Sequence, residues 1–282
     1  AEQVGRWLGS IILMLKPDLA STENINENNM LRIGIVPMSS TRSLFKNYQP
    51  LQTYLQLEMK RPVELITAPD FKTFHSNTLE GKYDVVITPA HLGRLAQTSA
   101  HYLPLARYKA PHRTLLLIAK DQPVKSLREV RGNVIAGIDP HALAMNEAIS
   151  WLDAKGLHTG TDYTLLQTPT PLSAAYALQG HQAIMAIGST QSFNILPDNL
   201  KQDLEIFANL PELPSLLWLA HPRMEADAPR LKAALLGFTS KSNGGELFYE
   251  TTGYIGMREV SAKEMAAVDP SARAVATLLN KK

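Results

Sequence analysis

The chain of 282 residues contains no cysteine, which excludes thiol nucleophiles, thiolate metal sites and disulfide bridges together. It lacks any block of Lys or Arg. With 28 basic against 26 acidic residues, the net charge of +2 is too small and too dispersed for a nucleic-acid surface. It also lacks a hydrophobic run near the roughly 20 residues that cross a bilayer. The apolar stretch Trp7–Leu15 has only nine residues. A Gly-rich phosphate loop of the Walker kind, a His-Glu-x-x-His pair and a self-evident carboxylate pair are missing too, as are short repeats, low-complexity tracts and heptads. These absences lead to the expectation of a non-enzymatic protein without cofactor or metal.

What is present begins at Leu31. With 45% hydrophobic residues, the chain can bury one large core or two moderate ones. Leu31–Pro37 is an apolar run stopped by proline, and the polar loop Met38–Arg42 follows. Tyr48, Leu51, Tyr54, Leu55 and Met59 recur at helical spacing, and Val63–Ala68 and Tyr83–Thr88 read as buried strands. Strands alternating with helices imply parallel pairing, with small ligands recruited at the strand carboxyl ends. Met38–Arg42 and Thr88–His91 occupy those ends.

Further strands are expected at Leu103–Tyr108, Thr114–Ala119, Asn133–Ile138, Tyr163–Gln167, Ala183–Ile187 and Ser215–Ala220. Ser126–Arg131 reads as one or two helical turns, and helices are expected at about His141–Ala154, Leu172–Gln179, Pro229–Ser240, Glu246–Thr251 and from Ser271 onward. Two matched apolar segments, near Ala110–Ala119 and Pro214–Ala220, join two α/β units. The expected fold is therefore an α/β clamshell of two lobes, each a mainly parallel sheet flanked by helices. The first lobe is discontinuous, 31–111 and 216–282, and the second spans 112–215. Residues 1–30 differ in character. Arg6 precedes the run Trp7–Leu15, with small residues at Ala20-Ser21, which suits a secretory signal or, alternatively, a stray amphipathic helix. Thr22–Asn29 reads as a flexible joiner.

Four segments carry a family resemblance: Leu31–Pro37; Tyr48–Leu51 leading to Arg61–Glu64; Thr67–Phe71; and Gly81–Val86. The strand ending at Asp139-Pro140 and the late Gly253–Gly256 fit the same pattern. In order and spacing they resemble the phosphate/phosphite/phosphonate-type substrate-binding proteins of ABC importers, a branch of the type II periplasmic binding fold. The resemblance covers roughly Leu31 to Leu279. It implies a periplasmic monomer that binds a small oxyanion between its lobes and presents it to the importer's membrane subunits, with no nucleic acid involved. Three positions depart from the family pattern. The Ser/Thr-rich helix start that usually follows Asp-Pro is replaced by His141-Ala142-Leu143-Ala144. Thr88-Pro89-Ala90-His91 stands where relatives place an aromatic residue before a glycine. Gly188-Ser189-Thr190 replaces acidic or amide residues.

The candidate ligand residues are Ser39, Ser40, Thr41, Thr88, His91, His141, Thr170, Ser189 and Thr190. Each has a structural reading beside the functional one. Ser39, Ser40 and Thr41 either offer hydroxyls and amides to an anion or cap the next helix, with Arg42 in solvent. Thr88 and His91 either face the cleft or pack within their own element. Asp139 and Pro140 suit the N-cap and first position of a helix, and His141 either meets ligand or belongs to that cap. Thr168–Pro171 is a ligand loop or a stiff turn, and Ser189-Thr190 a ligand contact or a cap. The remaining histidines, His75 and His112 among them, show no metal spacing and are expected in packing or surface roles. A sensor using the same clamshell for another small molecule is the alternative to transport. An enzyme built on this fold comes third.

Overall fold

The computed structural model describes residues 29–282. The leader expected at Trp7–Leu15, its Ala20-Ser21 site and the joiner as far as Asn28 lie outside the described residues. In chain order the elements are β1 (Leu31–Ile35), α1 (Thr41–Met59), β2 (Val63–Ile66), α2 (Phe71–Leu79), β3 (Val85–Pro89), α3 (Ala90–Ala100) and β4 (Leu103–Tyr108). There follow β5 (Thr114–Ala119), β6 (Val134–Gly137), α4 (Leu143–Ala154), β7 (Thr164–Gln167), α5 (Pro171–Gln179), β8 (Met185–Ser189), α6 (Thr190–Asn194), α7 (Asp198–Lys201) and β9 (Leu204–Asn209). The chain ends with β10 (Leu216–Ala220), α8 (Ala228–Gly237), α9 (Gly245–Thr252), β11 (Met257–Arg258), α10 (Ala262–Ala267) and α11 (Asp269–Leu279).

Local chemistry accounts for these elements. In α1 the Ser40 hydroxyl accepts the Ser43 amide at 3.3 Å, and Leu44, Tyr48, Leu51, Leu55 and Met59 form the buried stripe. The helix ends at Lys60, in the left-handed region at φ 52°, just before Arg61-Pro62, where a helical residue is disfavoured. Pro50 lies inside α1, and Gly244 packs on its ring with φ +77°, where a side chain would strain the backbone and collide with the proline. Strands β3, β5 and β10 are buried along their whole length, as strands covered on both faces should be.

Two sheets organise the lobes. The first has the order β11-β4-β10-β3-β1-β2, and the second β7-β6-β8-β5-β9. Parallel pairing holds within β2-β1-β3, with Leu31 opposite Val63 and Ile33 opposite Val85, and within β7-β6-β8, with Ile135 opposite both Leu165 and Met185. The other pairings are antiparallel: β10 with β3 and β4, β11 with β4, and β5 with β8 and β9. Parallel pairing is thus confined to the three-strand cores. Core strands run toward the cleft with their carboxyl ends, whereas β5 and β10 enter their sheets from the other lobe and run away from it. The two crossing segments pair with each other. His112 N donates to Leu213 O at 2.8 Å, and Leu213 N returns a bond to His112 O at 2.9 Å.

One local expectation fails, and one strand has no sequence signal. β9, Leu-Glu-Ile-Phe-Ala-Asn, shows neither an apolar run nor clean alternation and pairs only with β5, at the sheet's edge. Helix α4 begins at Leu143 rather than His141, and its N-cap is Ala142, not Asp139. Asp139–Ala142 closes as a turn, with Ala142 N on Asp139 O at 3.0 Å, and the Asp139 carboxylate accepts the His141 amide within that turn and Phe71 N from α2.

Candidate functional site

The loops that follow β1, β2 and β3 in one lobe and β6, β7 and β8 in the other lie at strand carboxyl ends, where α/β sheets hold ligands. After β1, Ser39 is half-buried and Ser40 and Thr41 are exposed, with Ser40 spent on its cap. The Met38 beside them receives the Tyr254 hydroxyl on its sulfur at 3.7 Å. Tyr254 stacks on Tyr108 with ring centres 3.9 Å apart, and the Tyr108 and Tyr48 hydroxyls are 2.8 Å from each other. Burial pushes these three phenols well up, Tyr254 despite the opposing bond from Tyr48, so they act as neutral dipoles.

In the second lobe the hydroxyl residues are engaged locally. Thr170 and Ser173 form a reciprocal cap on α5, Thr170 Oγ1 accepting the Ser173 amide at 3.2 Å. Ser189 and Ser192 do the same on α6, again at 3.2 Å. The Thr190 amide donates to Arg113 O at 3.0 Å, which ties this loop to the first crossing. Thr88 is fully buried in β3 against Gly93 of α3, and its hydroxyl has no partner among the described residues.

His91 and His141 come together across the lobes. His91 Nε2 donates to the His141 carbonyl at 2.7 Å, so the hydrogen of the neutral ring sits on Nε2. A second direct bond runs beside it: Phe71 N, the first amide of α2, donates to Asp139 Oδ2 at 3.1 Å. The other carboxylate oxygen accepts the His141 amide at 2.9 Å and the His141 Nδ1 at 2.7 Å. Burial acts to raise the Asp139 carboxyl, but the bonds from the His141 ring, the His141 amide and Phe71 N outweigh it and hold Asp139 below the usual carboxylate range.

Two histidines without a functional sequence signal join this junction. His75 of α2 is 4% exposed, and burial, with His141 nearby, draws it down to about 4. His112, on the first crossing, lies 2.8 Å from Thr114 Oγ1 and 3.1 Å from Glu147 Oε1 of α4, and Thr114 also donates to Glu147 at 2.8 Å. Spacing could not reveal this cluster, since its members come from α2, α3, the crossing and the turn before α4. Among the described residues no group of three or more His, Asp or Glu could hold a metal ion, and no helix is long and apolar enough to cross a membrane. Nor does any hydrogen bond link Ser39, Ser40, Thr41, Thr170, Ser189 or Thr190 to the histidine pair among those residues. The junction brings together four imidazoles, the carboxylates of Asp139 and Glu147 and the first amide of α2.

Several solved structures share this architecture. XAC2383 from Xanthomonas citri, solved with a chloride ion, is 19% identical over 89% of this chain and 98% of its own, with a TM-score of 0.75. PhnD1 from Prochlorococcus marinus, in complex with methylphosphonate, is 13% identical over 88% of this chain and 98% of its own, with a TM-score of 0.78. The periplasmic aliphatic sulphonate binding protein SsuA from Escherichia coli is 18% identical over 90% of this chain and 94% of its own, with a TM-score of 0.62. These likenesses show the type II periplasmic-binding fold. No curated protein matches the sequence. Residues 33–265 match the family model described as "ABC transporter, phosphonate, periplasmic substrate-binding protein", and the chain belongs to that family.

Proposed function

We propose that this protein is the solute-binding component of an ABC importer and that it captures a small oxyanion of the phosphonate, phosphite or phosphate class between its lobes. The observation that carries the ligand class is the bond from Phe71 N to Asp139. A helix start facing the cleft already holds a carboxylate oxygen, as the unpaired amides and dipole of a helix N-terminus favour. Helices α1 and α5 also begin with hydroxyl-bearing caps at strand carboxyl ends, Ser40 and Thr170. Ser39, Thr41, Ser189 and Thr190 are the further rim contacts, His91 and His141 line the floor, and Thr88 supports it from within β3.

Family membership favours this transport role over a sensor, and the family is a binding component rather than an enzyme. PhnD1 was solved with methylphosphonate and SsuA is an aliphatic sulphonate binder, so both head groups belong in the ligand search. We place the lobe boundaries at 111/112 and 215/216, the protein in the periplasm, and the working unit as a monomer that meets the membrane subunits when closed.

Thermal-shift and calorimetric titration against phosphate, phosphite, methylphosphonate, aminoethylphosphonate and an alkyl sulfonate tests the ligand class. A true ligand at 100 times its Kd adds about 2.7 kcal/mol of stability. Silence across every oxyanion would remove the oxyanion reading while leaving the family intact.

A further inference from the structure

We propose that Tyr254 is a positioning residue of the ligand site: it tethers the rim loop after β1 through the sulfur of Met38, and a strained bulge at Ile255 aims it there. This deepens the oxyanion reading and rests on it, since the loop carries Ser39, Ser40 and Thr41. Within the loop the bonds are local. Met38 N donates to Val36 O at 2.9 Å, and the Ser40 hydroxyl is spent on Ser43 N. Among the described residues, one side-chain hydrogen bond reaches residues 37–41 from outside the loop and α1. It is the bond from the Tyr254 hydroxyl to Met38, 216 positions away in the chain. Both partners belong to the lobe of the first sheet, so the contact does not depend on how far the lobes stand apart.

The backbone around Tyr254 is shaped for that aim. The amides of Lys109 and Ala110, where the first crossing leaves β4, donate to Gly256 O at 2.8 Å and to Tyr254 O at 3.1 Å. Two residues thus face three, and Ile255 is the extra residue of a bulge, a device that bends a strand and re-aims its side chains. Ile255 has φ 58° and is 67% exposed. A β-branched side chain rarely adopts this left-handed conformation, and burial returns little for it here. The other non-glycine residues with positive φ, Lys60, His101 and His181, stand at or just past helix ends, where chains commonly turn that way. Such strain persists only where neighbours over-determine it, and it gathers at binding sites. Here the two bonds to the crossing fix it, together with the stack of Tyr254 on Tyr108, whose ring planes lie 12° apart.

What the bulge delivers is a hydroxyl on the Met38 sulfur. A rim loop that is already held gives up less freedom on binding, so the tether raises affinity without touching the ligand. A hydrogen bond of ordinary net strength corresponds to about fivefold in Kd.

Two conservative variants test this. Tyr254→Phe removes the hydroxyl and keeps the ring on Tyr108, and Met38→Leu removes the sulfur and keeps an apolar side chain of similar volume. Methyl relaxation of Met38 in the full ligand-free chain reads the tether, and calorimetry with phosphate and methylphosphonate reads its effect on affinity. Tyr254→Phe is expected to give a folded protein whose Met38 methyl gains motion. Each single variant should lose about fivefold in affinity, and the double variant no more than either, because the same bond is removed. An unmoved Met38 methyl in Tyr254→Phe, wild-type affinity in that variant, or losses that add in the double variant overturns the proposal. A wild type that binds neither anion counts against the oxyanion reading instead. The Met38 methyl then decides the tether by itself, motion in Tyr254→Phe upholding it and none overturning it.

Discussion

Asp139 Oδ2 and the Phe71 amide meet at 3.1 Å across the cleft, so a side chain of one lobe completes the helix start of the other. The same carboxylate fixes His141, whose carbonyl in turn receives His91. One aspartate therefore bears on two direct bonds between the lobes, its own to Phe71 and that of His91 to His141, and this organises the first prediction.

Asp139→Ala removes three charge-assisted bonds at once and leaves the α2 amide without its partner. A single such bond contributes about 1.5–3 kcal/mol, but these three share one half-buried group, so the expected loss is about 3 kcal/mol. Urea unfolding measures it. The carboxyl lies below its ordinary value in the folded protein. Its contribution is thus complete above about pH 4, the unfolded value, and is lost as pH falls through the lower folded value. Acid titration of the wild type should show that loss only below about pH 4, and Asp139→Ala should flatten the profile there.

Arg107 of β4 is 5% exposed and is paired with Glu264 of α10, which also takes Arg258 of β11 through both oxygens at 2.9 Å. Glu264→Ala leaves the Arg107 guanidinium buried without a carboxylate, and the expected cost is about 3 kcal/mol. Bonds from Arg258, Ser261 N and Arg107 outweigh burial and hold Glu264 at about 2. Because that value is depressed, the stabilisation is present above the unfolded value near pH 4.3 and disappears between there and about pH 2. A stability–pH curve unchanged by Glu264→Ala would contradict this assignment.

Gly34 of β1 lies beneath the Tyr83 ring, and a Cβ there would come within 2.5 Å of Tyr83 Cδ2. Tyr83 is itself stacked on Phe74, with ring centres 5.3 Å apart, so a shift of its ring disturbs that pair. Gly34→Ala should cost about 1–3 kcal/mol by overpacking. Thermal denaturation checks this, and a neutral outcome would show that the stack yields.

Thr170→Ala separates capping from ligand contact. Loss of the α5 cap should cost about 1 kcal/mol of stability. Thr170 in contact with an oxyanion should also lose about tenfold or more in affinity, the equivalent of a hydrogen bond to a charged group. Calorimetry with the best oxyanion from the ligand search separates the two. A stability loss with unchanged affinity assigns Thr170 to the helix alone.

Much of the fold was legible because burial on both faces leaves a plain trace. Leu103–Tyr108 and Thr114–Ala119 appear as strands with the expected boundaries. The edge strand Leu204–Asn209 left no such trace, since one partner strand and solvent impose no period on its residues. At the site, loop positions were readable because they follow strand ends. Contacts were not: His75 and His112 read as scattered histidines until α2 and the crossing carried them to His91.

The sequence alone determined where strands, helices and rim loops form, because apolar runs, proline stops and caps act over a few neighbouring residues. It also carried the family resemblance in the order of its segments. Only the tertiary structure decided that β5 and β10 run antiparallel to the cores, that Asp139 serves Phe71 rather than capping α4, and that four histidines gather at one junction. Those relationships depend on which lobe a chain segment enters and from which side. No local spacing encodes that geometry, since it exists only once two separately folded sheets have met.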